Sequence, residues 1–301
     1  FCQEHQIFNY TDLIMAMPEE SYESFTEGVS EIIQHGQHNH IMFNNAIVLP
    51  NAEMGQLSYQ EQYGIETAQI SFPGQINIDQ IQESLEIIIA TQSLSKQDWI
   101  QMQTFAWMCN FLYFRHFLLQ PLLLFLSNEY AISFKTQIEW FCSKSKTKNY
   151  PFLSKILSTF KKSAYTLQLG INNKEKTSLL EALKEGIQLS PDLIVQIELS
   201  KQESWPQFFR EVSHLIRTQL ILSGHDLPGN LFQDLLKMTQ ANFYDQFYGK
   251  QSIYREHLPE FKQQPIFLSY ALYDYYHDAL KGKKNHLLKD AKKHTYFGPV
   301  I

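Results

Sequence analysis

Two asparagines, Asn44 and Asn45, interrupt an otherwise apolar run at residues 40–49 (HIMFNNAIVL), and Pro50-Asn51-Ala52-Glu53 follows it. A buried amide left without a partner costs about 1–3 kcal/mol, so such residues either satisfy backbone or reach a ligand. An earlier apolar run at residues 11–17 (TDLIMAM) is followed in the same way by Pro18, Glu19 and Glu20. In a parallel α/β arrangement the segments that leave the strands gather at one end, where chemistry is built. Asn45, Asn51, Glu53 and Glu19 are therefore the candidate cofactor- or substrate-binding residues. The plainer reading of the same residues is loop capping.

Other groups point to chemistry less clearly. His35, His38 and His40 form a tight imidazole cluster, but they lie on a helix-to-strand turn, the end that serves stability, with no carboxylate beside them. They are read as structural or solvent-facing, and no metal site is expected. Cys2, Cys109 and Cys142 are too far apart for a CxxC pair or a disulfide framework, which predicts a reducing, cytoplasmic setting. Cys109 lies in an apolar stretch and reads as an inert core thiol. Asp274 and His277 share a helical face with three tyrosines, and this reads as amphipathic packing. The sequence has no glycine-rich phosphate loop, GxSxG, HExxH or EF-hand motif.

The elements that must hold these residues follow from spacing. Residues 11–17 and 40–49 predict strands, each closed by proline. Between them Tyr22, Phe25, Val29, Ile32 and Ile33 recur at helical spacing, with Ser21 and Ser24 as alternative N-caps and Gly36 as the C-terminal stop. Strand, helix and strand with short links predict a βαβ unit with parallel strands. Residues 85–91 (LEIIIAT) predict one more strand, and Ser95 to Asp98 a capping box with Asp in place of Glu. Beyond it, helices are expected near 97–119, 121–128, 133–145, 151–168, 174–187, 205–222, 230–248 and 265–281. Trp99, Trp107, Trp140 and Trp205 are expected as core anchors.

The chain has 301 residues, 44% of them hydrophobic, and a formal charge of −6. That is enough apolar material for a large domain or two ordinary ones, and the balance offers no broad footprint for nucleic acid. The lysine-rich stretch 281–293 reads as a solvated face. Residues 105–126 are apolar, but Asn110, Arg115, His116, Gln120 and Pro121 break them up, so a buried helix is expected and no membrane span.

Residues 11–25 (TDLIMAMPEESYESF) resemble a signature of radical S-adenosylmethionine (radical SAM) proteins. There a late barrel strand often ends in a Gly-Leu-Pro-Gly-Glu-Thr type turn before a Tyr-x-Ser/Thr-Phe helix. Residues 49–54 (LPNAEM), 63–67 (YGIET), 88–91 (IIAT), Asp98-Trp99 and 105–107 (FAW) add to the likeness, as does the ending from Tyr276 to Tyr296. Together they resemble the cobalamin-binding-domain subgroup. The resemblance implies an α/β partial barrel, the last βα units of a TIM-like barrel, at 1–92, followed by a mostly α-helical C-terminal domain at 93–301.

It also implies a 4Fe-4S cluster held by three cysteines, S-adenosylmethionine chelated to it, and cobalamin as a further cofactor. Reductive cleavage would then support a radical reaction or methyl transfer on a small-molecule substrate that the helical region does not name. Asn45, Asn51, Glu53 and Glu19 would lie near the cofactor or substrate. The CxxxCxxC cluster motif is absent, and Ala16 and Glu19 stand where glycines are expected. The chain is thus expected to be a fragment, inactive alone, whose partners are N-terminal cobalamin and barrel segments. The competing expectation is a non-enzymatic helical interaction module with a barrel remnant. A complete small α/β enzyme ranks below both, since no nucleophile, base and orienting group stand together.

Overall fold

The first strand, β1 (Thr11–Met15), ends two residues earlier than its apolar run because Ala16 turns into the left-handed region at φ 66°. In the computed structural model, residue 5 and residues 7–71, 84–170, 190–201, 204–248, 263–283 and 294–299 are described. Strand β2 (Ile41–Asn45) pairs with β1 in parallel, Thr11 opposite Ile41 and Met15 opposite Asn45. Helix α1 (Tyr22–Gln34) links them and buries Phe25, Val29 and Ile33. The two proposed caps act together: Ser21 Oγ accepts from the Ser24 N–H (3.1 Å), and Ser24 Oγ accepts from the Ser21 N–H (2.9 Å). Gly36, at φ 108°, carries the chain away from the helix end.

Residues 40–49 do not form one strand. After Asn45 the chain bends: the Ala46 N–H donates to Met15 O (3.0 Å), and Ile47 makes an antiparallel bridge with Ile87. Strand β4 (Ser84–Ala90), anticipated within a residue, pairs antiparallel with β3 (Glu66–Ser71). β3 was not anticipated, because ETAQIS carries too little apolar weight. Helix α2 (Leu57–Tyr63) precedes it and ends on left-handed Gly64.

Helix α3 (Lys96–Cys109) starts at Ser95, whose Oγ accepts from the Asp98 N–H (3.1 Å) and donates to Asp98 Oδ2 (2.7 Å). Asp98 therefore takes the cap's hydroxyl instead of closing the reciprocal bond. The expected single helix 97–119 breaks down through a π turn (Asn110–Phe114) and a 3-10 turn (Arg115–Phe117) into α4 (Gln120–Tyr130). The halves are bent by 107°, and no single helix among the described residues is long and apolar enough to cross a membrane. His116 (φ 54°) and Phe117 (φ 53°) both adopt left-handed backbone, at a cost of order 1–3 kcal/mol each.

Then follow α5 (Phe134–Cys142), α6 (Lys144–Thr147) and α7 (Pro151–Gln168). The expected helix 174–187 lies outside the described residues. Helix α8 (Pro191–Lys201) was not anticipated and starts at a proline. Helices α9 (Trp205–Leu222) and α10 (Gly229–Tyr248) match their spacing. The expected helix 265–281 is corrected at its start. Residues there form β5 (Gln263–Leu268), antiparallel to β6 (His294–Pro299), and helix α11 (Leu272–Leu280) begins only afterwards.

One continuous apolar cluster joins Met15, Ile41 and Ile88 of the strands to the helical core around Phe111, Trp205 and Phe232. The Phe105 ring meets Tyr22 and Phe25 edge-on at 6.4 Å in each case, which seats α1 between the strands and α3. Trp99, Trp140 and Trp205 are buried, and Trp107 packs partly buried against the same core.

Candidate functional site at the strand ends

The turn after β1 is shaped by its own carboxylate. The Ala16 N–H donates to Glu20 Oε2 (2.8 Å), closing a loop around two left-handed residues, Ala16 (φ 66°) and Glu19 (φ 69°). These are the two positions where glycines are expected, so the glycine-type backbone persists without glycine. Burial pushes the Glu20 carboxyl above its ordinary value, partly offset by bonds from the Ala16 and Met17 backbone. Ser93 Oγ donates to Glu20 O (2.8 Å) and is bonded to Thr91 Oγ1 (3.1 Å), so the turn after β4 braces the turn after β1. Replacing Ala16 by Gly is expected to raise stability by about 0.5–1 kcal/mol, and by Val to lower it by more, measured as a shift in the urea midpoint.

The four anticipated residues divide. Glu19 and Glu53 are exposed and on one side of the molecule, for both carboxylates act on the Tyr59 hydroxyl. That hydroxyl is raised by desolvation first, then by Tyr63, Glu53 and Glu19. Asn51 is exposed in the same turn, which is packed so closely that a Cβ on Gly55 would sit 2.4 Å from Leu49 O. Asn45 pairs in register with Met15 at the last rung, and its Oδ1 is buried without a hydrogen-bond partner. Sequence reasoning missed Glu20 as the half-buried carboxylate of the turn, together with Tyr59, Tyr63, Thr91 and Ser93. The Glu-Glu pair flagged the turn, but only the backbone angles tell which glutamate folds inward.

The parallel pair has two unequal faces. Leu13 and Phe43 pack against the core, whereas Ile14 (54% exposed) and Met42 (45% exposed) lie open to solvent. Asp12 and Asn44 share that open face, with Asn44 Nδ2 donating to Asp12 Oδ1 (3.3 Å). Strands in parallel α/β sheets are covered on both faces.

The remaining candidates are structural. His35 Nδ1 bonds Glu31 O (2.8 Å), buried His38 bonds the Tyr113 hydroxyl (2.8 Å), and His40 packs edge-on to Phe114 at 6.3 Å. Burial pushes the His38 imidazole down to about 4. His277 packs against Tyr273 and Tyr276. Among the described residues no group of three His, Cys, Asp or Glu side chains could hold a metal ion.

An iron–sulfur cluster needs thiolates. Burial pushes both the Cys109 and the Cys142 thiol well above the ordinary range, and Cys2 lies outside the described residues. The described cysteines therefore do not fit a cluster. Under native conditions Cys109 and Cys142 are expected to resist iodoacetamide and to react fully in denaturant, as read by intact mass.

No family model matches the chain. It is 28% identical over 111 residues to the cobalamin-dependent radical SAM methyltransferase TokK of Streptomyces tokunonensis. It is also 28% identical over 111 residues to the 2-(S-pantetheinyl)-carbapenam-3-carboxylate methyltransferase of Streptantibioticus cattleyicolor. Each match covers 36% of this chain and only 16% of the relative's length. Over that third of its length the chain is similar to methyltransferases, one of them a cobalamin-dependent radical SAM enzyme, the class its strand-end residues resemble.

Proposed function

We propose that this chain supplies the late βα units of a radical SAM α/β barrel, with the helical region 93–301 beside its mouth, in a cobalamin-dependent methyl transfer. The observation that carries the reading is the parallel β1–β2 pair. Helix α1 covers one face, while Asp12, Ile14, Met42 and Asn44 stay exposed on the other, as barrel-lumen residues do before the remaining strands close around them. The turns that carry Glu19 and Glu53, with Asn45 behind them, leave the C-terminal ends of these strands, where a cofactor is held in such barrels. When bound, S-adenosylmethionine and cobalamin supply the methyl group and the redox chemistry. The residues of this chain bind, orient and shield. The cluster cysteines lie outside this sequence, which contains no CxxxCxxC.

The test is anaerobic loading with iron and sulfide. The 301-residue chain alone is expected to stay without the visible absorbance of a cluster, and a longer polypeptide that contains it to acquire that absorbance. In the longer protein Ile14→Lys is expected to abolish loading, while in the 301-residue chain it leaves the thermal midpoint unchanged. A longer protein that takes up no cluster, or tolerates Ile14→Lys, sinks the reading.

A second reading, a non-enzymatic interaction module, is favoured by the adjacent exposed Ile221 (73%) and Leu222 (74%) at the end of α9. Turnover of S-adenosylmethionine by the longer protein would exclude it.

A further inference from the structure

At the opposite end of β1 and β2 lies a cavity of about 320 Å³, built from the segment before β1, the α1–β2 turn, the broken joint before α4, and helices α10 and α11. The strands are five residues long, so at about 3.3 Å per residue the cavity sits about 16 Å from the turns that carry Glu19 and Glu53.

Its walls are of two kinds. Phe8, Phe117 and Tyr276 supply flat apolar surface, and side-chain amides supply much of the rest. Gln120 is fully engaged, donating to His38 O (2.7 Å) and accepting from the Tyr276 hydroxyl (2.5 Å), which fixes that wall. Asn242 also lines the cavity, but its unpartnered Nδ2 is buried beneath the wall and is not presented to a ligand. Lys281 is the only formally charged side chain among the described lining residues, in a chain of net charge −6. Burial, and then the Lys281 charge, hold the neighbouring His277 imidazole below its ordinary value, with Asp274 and Asp278 on the same helix acting the other way.

The backbone is arranged around this space. The π turn and the left-handed His116 and Phe117 deliver Phe117 and Gln120 to the cavity wall. Strain of this kind persists where surrounding structure enforces it and gathers at ligand sites.

We propose that this cavity binds a small planar acid, an aromatic or heteroaromatic carboxylate. Its ring lies between the aromatic walls, and its carboxylate meets Lys281. The site is independent of the cofactor reading, since it lies at the far end of the strands and needs no cluster.

The experiment titrates benzoate, nicotinate and indole-3-carboxylate separately into the intact 301-residue chain, followed by saturation-transfer NMR and calorimetry. Nicotinamide serves as the uncharged comparator. At least one acid is expected to bind, and to bind more tightly than nicotinamide. Lys281→Met and Lys281→Gln, both at a partly exposed helix end, are expected to weaken that binding by about tenfold with circular dichroism unchanged. Absence of binding by all three acids, or undiminished affinity in both lysine variants, overturns the proposal.

Discussion

Replacing Arg115 by methionine is expected to destabilise the protein by about 3–5 kcal/mol, the usual cost of stranding one member of a buried ion pair. The Asp192 side chain is wholly buried, and Arg115, 25% exposed, donates to it through Nε. The second carboxylate oxygen, Oδ1, has no hydrogen-bond partner, and among the described residues Arg115 is the cation bonded to this carboxylate. The guanidinium also donates to Ser190 Oγ (3.2 Å), and the Arg115 carbonyl accepts from Gln196 Nε2 (3.1 Å). Arg115 thereby pins α8 to the strained joint between α3 and α4. The double variant Arg115→Met, Asp192→Leu is expected to recover most of the loss, because both charges leave together. Urea unfolding of the four-member cycle measures this, and a single-variant loss below about 1 kcal/mol would contradict it.

The second large effect is acid lability through His38. Burial holds its imidazole at about 4 in the folded protein, against about 6.5 in the unfolded chain. Its contribution is complete above pH 6.5. As pH falls toward 4 the unfolded chain takes up a proton that the folded one refuses, so stability drops by about 1.4 kcal/mol per pH unit, roughly 3 kcal/mol in all. His40, His116 and His277 are lowered in the same sense and, for each, burial is the largest cause. Glu20, raised by burial, acts in the opposite sense at the lower end of that window. His38→Gln, which keeps a hydrogen-bonding group for the Tyr113 hydroxyl, is expected to flatten the slope of stability against pH between 6.5 and 4. An unchanged slope would mean that His38 titrates normally in the folded state.

Much of the strand end was legible because its signals are local. Pro18, Ser21 and Gly36 punctuate the chain within a few residues of the real boundaries, and the apolar stripe of α1 is regular. What was missed depends on distant partners or on backbone angles. β5 reads as helix because Ile266, Phe267 and Leu268 run straight into the amphipathic α11, and only pairing with β6 makes them a strand. Asn44 and Asn45 look equivalent in sequence, yet register sends Asn44 to the open face beside Asp12, while the Asn45 amide oxygen is buried. Glu19 and Glu20 look equivalent as well, and the left-handed turn decides which folds back onto Ala16 N–H. The break at Asn110–Phe117 escapes periodicity because its residues are as apolar as those of the helix before it.

The Ala16 amide is spent on Glu20, so this strand end offers no outward backbone donor there of the sort that captures phosphate. In its place Glu19 and Glu53 project into solvent and Asp12 lies on the adjoining open face. The described part of this rim is therefore acidic and is expected to favour positive solutes over phosphates. Cationic solutes are expected to be enriched there in dilute buffer, an enrichment that fades once the Debye length falls below about 10 Å near 0.1 M salt.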